Sequence, residues 1–400
     1  MLKSLFIAKV EVFKGCGRVL SGIRIIDFSQ YLPGPYATMR LADKGAEVIV
    51  VEPLDGEASR HLELKSVGTS LLYLANNRNK KSIAINLKEP KGEQLALDLI
   101  KEADVVVESF RSGVMKRLGL DYETVKKVKN DIIYCSISGF GQMGQMSHLG
   151  SHDLNYLAIS GVLAQLKDER GRPTIPSVQL ADHLGSFYCT EEILTAMIKR
   201  SKTNEGSYID LSLVDALVSI MGTNYMHYSE ANQYRGVPEL IGEKSCYNIY
   251  ETQDGRYVAF AALEQKFWIN FCKAVGKEEW IPLHKETCPF FYQEITEFFK
   301  KRTLEQWTQF SFKVDCCLTP ILEINEITDF PFLKERNLFL DEKNKGSAIA
   351  SFFSQNLSGA SRPPLLGENT EEILSSILHY SPMKIKSLIN NKIVRSGVKN

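Results

Sequence analysis

The chain has no surplus of charge of either sign. Its 400 residues carry 48 Lys and Arg side chains against 48 Asp and Glu side chains, a formal net charge of +0. Proteins that bind nucleic acid or an anionic membrane over a broad surface usually show an excess of basic residues. The balance argues against both classes, so any anionic ligand must be held by a local group of cations.

Membrane-length apolar runs and metal-binding cysteine patterns are also absent. No hydrophobic stretch approaches the length of a membrane span. The eight cysteines are scattered without a C-x-x-C pair, and no secretory signal precedes them. We therefore expect reduced core cysteines, no metal site and a cytoplasmic location. Residues 1–20 are predicted to be an N-terminal extension, with a weak organellar presequence, mitochondrial or peroxisomal, as the alternative.

Short β-rich runs alternate with helical patterns in the front half of the chain. The runs are Gly22–Phe28, Glu47–Val51, Ser82–Asn86, Asp104–Val107 and Ile132–Ile137. Such alternation predicts an α/β fold with a Rossmann-like parallel sheet and helices on both faces. We expect a ligand at the carboxyl ends of its strands.

A second, smaller α+β domain is predicted after Gly236. Cys246–Thr252 and Arg256–Leu263 form a hairpin pattern around Asp254-Gly255, and helical patterns follow it. The predicted organisation is a large domain over residues 21–235, a small domain over 236–330, and a return segment over 331–400. The last segment is expected to pack its C-terminal helices on the large domain.

The run Gly139 to Gly144 matches G-x-G-x-x-G after a plausible strand. A dinucleotide-binding loop should open directly into a helix, with an acidic residue about 20 positions later at the end of the next strand. Here a polar stretch follows instead. A nicotinamide site is therefore not predicted.

The segment Gly150–Tyr156 places an imidazole and a carboxylate where a loop turns into a helix. At a helix start His152 would be favoured in its neutral form, which accepts a proton. The simpler interpretation is that Asp153 caps a helix beginning at Leu154. The segment alone leaves both interpretations open.

Two more carboxylates lie at predicted helix starts. Asp182 precedes a helical pattern from about His183, where it can be an N-cap, a base or a nucleophile. Glu264 ends the second hairpin strand and can simply begin the next helix. Taken separately, each of these residues is ordinary.

A series of ordered motifs changes this assessment, because together they resemble the family III CoA-transferases, specifically the α-methylacyl-CoA racemase branch. The motifs are Gly22–Phe28, Leu32–Pro35, Leu41–Val48, Ser109–Gly119, Ser138–Gln142, the His152 segment, Asp210–Ala216, Tyr257–Phe267, Cys317–Pro320 and Leu366–Leu374. The likeness covers nearly the whole chain after Leu20.

The resemblance implies catalytic roles for His152 and Asp182, with Glu264 beside the histidine. Transferases of the superfamily use an aspartate at the place of Asp182 to form acyl-enzyme intermediates, but typically lack the histidine and the glutamate. The resemblance further implies an interlocked homodimer and no cofactor, because CoA is part of the substrate.

The resemblance also implies which residues bind CoA. Ile85, Asn86, Leu87 and Lys88 are expected near the adenine, and Ser151, Asp153, Leu154, Asn155 and Tyr156 along the thioester arm. Phe110 and Arg111 belong to the same set. Arg117 is expected at the phosphates, where guanidinium geometry suits several oxygens, and Arg78 and Lys80 are further candidates with a structural role as the alternative.

Two departures from the family pattern matter. Racemases of this branch usually have glycines after the aspartate, whereas His183–Phe187 follows Asp182 here, and we expect this bulk to narrow the space beside the thioester. An arginine frequent after the second strand is Pro53 here, so part of the nucleotide contact is absent or supplied by another residue.

The prediction is an enzyme that racemises 2-methyl-branched acyl-CoA thioesters of fatty acid metabolism by 1,1-proton transfer through an enolate. Inversion needs an acid-base group on each face of the α-carbon, and His152 and Asp182 supply two. The alternatives are a CoA-transferase with an aspartyl-CoA thioester on Asp182, and a CoA-binding protein without turnover.

Overall fold

The computed structural model describes residues 18–66, 68–168, 170–336, 338 and 361–397. The chain forms two compact units, one of Met1–Ser219 with Lys334–Asn400 and one of Ile220–Leu333. The predicted domain limits lie after residues 235 and 330. The observed units divide after residues 219 and 333, so the first limit was predicted too late in the chain and the second slightly too early. The predicted N-terminal extension falls outside the described residues except for 18–20.

A mostly parallel sheet forms the centre of the first unit. Along the described chain the strands are β1 (Arg24–Asp27), β2 (Glu47–Glu52), β3 (Lys65–Ser66), β4 (Thr69–Ser70), β5 (Lys80–Ile85), β6 (Val105–Glu108), β7 (Ile133–Ser138), β8 (Ser207–Ser212), β9 (Tyr247–Glu251), β10 (Tyr257–Ala261), β11 (Leu318–Pro320) and β12 (Val394–Arg395). Seven of them pair in the order β12-β5-β2-β1-β6-β7-β8. All neighbours are parallel except β12, which is antiparallel to β5. The predicted parallel sheet is confirmed.

Helices cover this sheet and also surround the strands of the second unit. They are α1 (Pro33–Ala42), α2 (Leu71–Asn76), α3 (Pro90–Lys101), α4 (Val114–Arg117), α5 (Tyr122–Val128), α6 (Asp153–Ile159), α7 (Leu180–Thr203), α8 (Leu213–Ile220), α9 (Gly222–Ala231), α10 (Gln265–Val275), α11 (Pro289–Phe299), α12 (Leu304–Ser311), α13 (Pro331–Glu335), α14 (Thr370–Ser376) and α15 (Pro382–Asn390). Two helices, α8 and α9, follow β8. Gly222, a poor helix former, stands at the break. Each described helix is too short or too polar to cross a bilayer.

The valine run of β6 explains why the sheet is buried on both sides. Val106 packs in the hydrophobic core on one face, with residues of α3, α14 and α15. Val105 and Val107 pack in the core on the other face, with residues of α1 and α7. Continuous apolar strands are typical of parallel sheets covered on both faces.

Arg78 and Lys80, which the sequence offered as phosphate ligands, are buried ion-pair partners instead. Arg78 donates to both carboxylate oxygens of Asp43, at 3.0 and 2.5 Å. The Lys80 ammonium donates to Asp27 at 3.2 Å, to the Pro35 carbonyl at 2.9 Å and to Asn77 at 2.8 Å. Both side chains are buried and already bound to a carboxylate, so that prediction is wrong for these two residues.

The second unit is centred on the predicted hairpin. Strands β9 and β10 pair antiparallel around the turn that contains Gly255, which has φ +69°, and β11 pairs with β10. Trp268, Trp280 and Trp307 are buried in its core. Cys288 is exposed rather than part of a core, at the N-cap position of α11.

Candidate active site

The first unit contains a cavity of about 490 Å³ at the carboxyl ends of its parallel strands, where open α/β sheets usually bind ligands. Loops after β1, β6 and β7 line it, together with the first turn of α7. Six of the predicted site residues lie in its wall: Phe110, Arg111, Ser151, His152, Tyr156 and Asp182. The fold therefore brings together residues that are up to 72 positions apart in the sequence, from Phe110 to Asp182.

His152 is the N-cap residue of α6, a position the sequence analysis gave to Asp153. The helix begins at Asp153 and not at Leu154. The Asn155 side chain accepts the His152 backbone N–H at 3.0 Å, so the loop enters the helix in a fixed direction. The imidazole is exposed and lines the cavity. Because the backbone of His152 and not its ring makes this bond, the imidazole can still line the cavity.

Asp182 lies in the first turn of α7, because the helix begins at Leu180 and its N-cap is Gln179. The predicted N-cap role of Asp182 is therefore wrong. The first N–H groups of a helix lack partners within it, and here Asp153 Oδ1 accepts the Asp182 N–H at 3.0 Å. The bond ties the first turn of α6 to the first turn of α7.

The same arrangement sets the acidity of Asp182. Burial, which disfavours the charged form, and then the nearby charge of Asp153 raise the pKa of Asp182 to about 7. Near neutral pH this carboxyl is therefore present in both its protonated and its ionised form. A group with that property can act as an acid in one reaction direction and as a base in the other.

Gly139 is required where the loop after β7 meets Tyr156. A Cβ atom at Gly139 would overlap the Tyr156 ring, and the Tyr156 hydroxyl donates to the Ser151 carbonyl at 3.1 Å. No helix begins until Asp153, nine residues after Gly144. Packing against Tyr156 therefore accounts for Gly139, and the run does not open into a helix as a dinucleotide-binding loop does.

Two arginines after β6 have no ion-pair partner among the described residues. Arg111 lines the cavity, and its guanidinium lies so close to Gly150 that a Cβ there would overlap it. Arg117 ends the short helix α4 and is exposed, outside the cavity wall. Both charges are available to an anionic ligand, as expected of phosphate contacts.

The predicted adenine contacts lie at the end of β5, outside this cavity. The Ile85 side chain is buried in the core, so it is not open to a ligand. Asn86 donates its N–H to the Ile393 carbonyl at 2.8 Å, and Lys88 is exposed. Leu154 is exposed on α6. Their contacts with CoA stay predictions.

Glu264 belongs to the second unit, where it is the N-cap residue of α10. Its side chain makes no capping hydrogen bond, and within the described ranges it has no ion pair. The carboxylate is exposed. The Glu264 carboxylate is therefore not used to cap α10, and its role beside His152 stays a prediction.

Two residues of this region were missed from the sequence. The Ser138 hydroxyl is buried without a protein partner and lines the cavity. Glu108 is buried and accepts the Phe110 N–H at 2.8 Å, which holds the start of the loop that carries Arg111. Burial raises the pKa of Glu108 to about 7. Both are polar residues at the carboxyl end of a predicted strand, and this position could have identified them as candidate site residues from the sequence.

The bulky residues after Asp182 do not line the cavity. The ring of His183 packs edge-on against Tyr36 of α1 at 5.0 Å, and Phe187 packs on the same ring at 6.1 Å. Arg40 lies over the Phe187 ring at 4.4 Å. The expected narrowing is not observed in the wall of this cavity, because these side chains lie between α7 and α1.

Comparison with known proteins shows which family the chain belongs to. Residues 20–370 match the model of CoA-transferase family III. The chain is 32% identical to alpha-methylacyl-CoA racemase of Homo sapiens, covering 94% of this chain and 98% of the relative, and 31% identical to succinyl-CoA:glutarate CoA-transferase of Homo sapiens, covering 94% and 90%. A crystal structure of a CAIB/BAIF family protein from Brucella suis matches with a TM-score of 0.79 at 25% identity, covering 90% of this chain and 99% of that one. The chain belongs to CoA-transferase family III.

Proposed function

We propose that the protein racemises 2-methyl-branched acyl-CoA thioesters by moving the α-proton from one face of the carbon to the other. The observation that carries the proposal is that His152 and Asp182 line one cavity. Inversion requires an acid-base group on each side of the carbon. An imidazole and a carboxyl are suited to that work near neutral pH.

The pKa of Asp182 suits proton transfer in either direction. With a pKa of about 7, a substantial fraction of the carboxyl is protonated at neutral pH and can deliver a proton to an enolate. The ionised fraction can remove the α-proton as a base. His152 then removes or returns the proton on the opposite face.

CoA is proposed to bind with its thioester in this cavity. Ser151, Tyr156 and Phe110 lie in the wall, and Arg111 and Arg117 are proposed to contact the diphosphate. Backbone N–H groups at the start of α6 are proposed to receive the enolate oxygen. The homodimer and the contact of Glu264 with His152 are proposed from the resemblance alone.

The second candidate is a CoA-transferase that acts through Asp182. The similarity to succinyl-CoA:glutarate CoA-transferase at 31% identity favours it specifically. A CoA-binding protein without turnover is the non-enzymatic alternative.

A single incubation ranks the three candidates. One enantiomer of a 2-methylacyl-CoA is incubated with the protein in heavy water without any acceptor acid, followed by mass spectrometry and chiral analysis. We expect deuterium at the α-carbon and loss of optical purity. No exchange, with CoA transfer once a free acid is added, would establish the transferase instead; CoA binding with neither reaction would leave the third candidate.

An Asp153→Asn variant should shift the pH dependence of racemisation. Asparagine keeps an oxygen that accepts the Asp182 N–H but removes the negative charge that helps to raise the Asp182 pKa. The pKa of Asp182 should fall, so the limb of the kcat/KM profile that reports it should move to lower pH by about one unit. Stopped assays from pH 5 to 9 would measure this.

The matched control for this shift is Glu191→Gln. Glu191 is exposed on the same helix, about 13 Å along its axis from Asp182. This variant removes an equal charge and should leave the profile unchanged. An unshifted profile in Asp153→Asn, or the same shift in both variants, would contradict a specific effect of Asp153.

A further inference from the structure

A second cavity of the first unit, of about 260 Å³, shares no residue with the candidate active site. Asp55, Arg60, His61, Leu366 and Arg395 are among the residues in its wall. Asp55 and His61 follow β2, and Arg395 is the last residue of β12. The cavity therefore opens at the carboxyl end of β2, the edge at which sheets of this class bind ligands.

One of its two arginines is already neutralised. Arg60 donates to both carboxylate oxygens of Glu52, at 2.6 and 2.7 Å, and lies 3.6 Å over the Tyr73 ring. This ion pair is buried on both sides. Arg60 therefore shapes the cavity but offers no free charge to a ligand.

Arg395 is different. Its guanidinium donates to the Leu54 carbonyl at 3.0 Å through Nη1, and no carboxylate of the described ranges lies within 4.0 Å of it. Asp55, the carboxylate in the cavity wall, forms no ion pair with Arg395. An exposed guanidinium that is oriented by a carbonyl but not neutralised is suited to bind an anion, phosphate above all.

The backbone of Arg395 is held on two sides. Arg395 lies opposite Ala84 in the register of β12 with β5, and the Thr370 hydroxyl donates to the Arg395 carbonyl at 2.7 Å. Gly367, at φ +64°, passes so close that a Cβ would overlap that carbonyl. Because this segment is already constrained, little backbone conformational entropy is lost when Arg395 binds a ligand.

The distance between Arg395 and the arginines after β6 determines which part of a ligand can reach this cavity. In the sheet order, β5, β2 and β1 separate β12 from β6, so Arg395 and the arginines after β6 are about four strand spacings, roughly 19 Å, apart. Only an extended ligand spans both. In CoA the charged group furthest from the thioester is the 3′-phosphate of the adenosine.

We infer that Arg395 binds the 3′-phosphate of CoA and supplies from the C-terminal strand the guanidinium that Pro53 does not provide after β2. The Leu54 carbonyl that Arg395 contacts is next to Pro53 in the chain. His61 lies in the same wall, where its Nε2–H donates to the Asp55 carbonyl at 2.9 Å and helps to fix the loop after β2. The inference rests on CoA being the ligand, as proposed above, but not on which reaction the protein catalyses.

The test compares affinities for CoA and 3′-dephospho-CoA, measured by isothermal titration calorimetry without turnover. The full-length protein should bind CoA about tenfold or more tightly than 3′-dephospho-CoA, the effect of one hydrogen-bonded charge pair. Arg395→Ala should lose that preference by weakening CoA alone, and Arg395→Lys should keep part of it. Lys386→Ala, an exposed cation on α15 outside the cavity, should change neither affinity.

Three outcomes would overturn the inference. They are a wild-type protein that does not distinguish the two ligands, an Arg395→Ala variant that keeps the distinction, and an equal loss for both ligands in that variant. Absence of racemisation with the preference intact would reject the proposed reaction and leave this site standing. Thermal melting of each variant confirms that binding is compared between folded proteins.

Discussion

An Asp182→Asn variant should lose racemisation by a factor of about 10²–10⁴ while keeping its affinity for CoA. Asparagine has nearly the volume of aspartate, and its backbone N–H can still donate to Asp153 as in the wild type. What disappears is a carboxyl whose pKa of about 7 supplies both an acid and a base near neutral pH. An amide does neither in that range.

Isotope exchange makes this prediction sharper than loss of turnover. If each group serves one face of the α-carbon, Asp182→Asn leaves His152 able to exchange the α-proton of one enantiomer with solvent. A His152→Gln variant should then exchange only the opposite enantiomer. Each pure enantiomer is incubated with each variant in heavy water, and α-deuterium and chirality are followed separately.

The exposed Glu191→Gln variant serves as the control for this series and should racemise like the wild type. If either active-site variant retains wild-type turnover, the assignment of two acid-base groups is wrong. Exchange of the same enantiomer by both variants would also contradict it, because the two groups would then not lie on opposite faces.

An Asp27→Ala variant should lower the free energy of unfolding of the first unit by about 3–5 kcal/mol. The Lys80 ammonium is completely buried, and its side chain pairs with an Asp27 side chain that is 1% exposed. Burial lowers the pKa of Lys80, against the effect of Asp27. Without the carboxylate, the ammonium must either stay buried without its counter-charge or lose its proton, and both destabilise the fold.

Denaturation in urea, followed by far-UV circular dichroism and by hydrogen exchange of the β1 and β5 amides, would measure this loss. Tryptophan fluorescence is a poor probe here, because the chain has three Trp residues and all lie in the second unit. Lys101→Ala breaks an exposed ion pair and should cost about 0.5 kcal/mol or less. The double variant Asp27→Asn with Lys80→Met removes both charges of the buried pair and should recover part of the stability that Asp27→Ala loses. A loss of less than about 1 kcal/mol for Asp27→Ala would contradict the prediction.

Five strands of the sheet, β1, β2, β5, β6 and β7, were predictable because each contains an apolar run of the kind that two covered faces require. The run at Asp104–Val107 is displaced by one residue at each end from the observed β6. The order of strands was not predictable, because any of several parallel orders buries the same valines and isoleucines. Long-range packing decides between them.

The start of α7 shows how a tertiary contact overrides a local rule. Aspartate is a far better N-cap than glutamine, which favoured a helix beginning just after Asp182. The structure begins it at Leu180, with Gln179 in the cap position. The carboxylate of Asp153, 29 residues earlier, accepts the free N–H instead, and no local pattern reports such a partner.

A tertiary contact also explains the wrong prediction for Arg78 and Lys80. Arg78 and Lys80 pair with carboxylates 35 and 53 residues away, so their neighbours in the sequence indicate only an accessible basic stretch. Arg111, by contrast, lines the cavity. Its motif surrounds a strand end, and strand ends share one edge of a parallel sheet.

The bond between Asp153 and Asp182 has a consequence for how this protein can evolve. Because it joins the first turns of α6 and α7, it fixes the two helices between which the connection formed by residues 160–179 runs. Lengthening a closed loop costs little, about 0.6 kcal/mol for each doubling. Insertions and deletions in this connection can therefore change the surface of the first unit while the imidazole and the carboxyl, which lie outside it, keep their spacing.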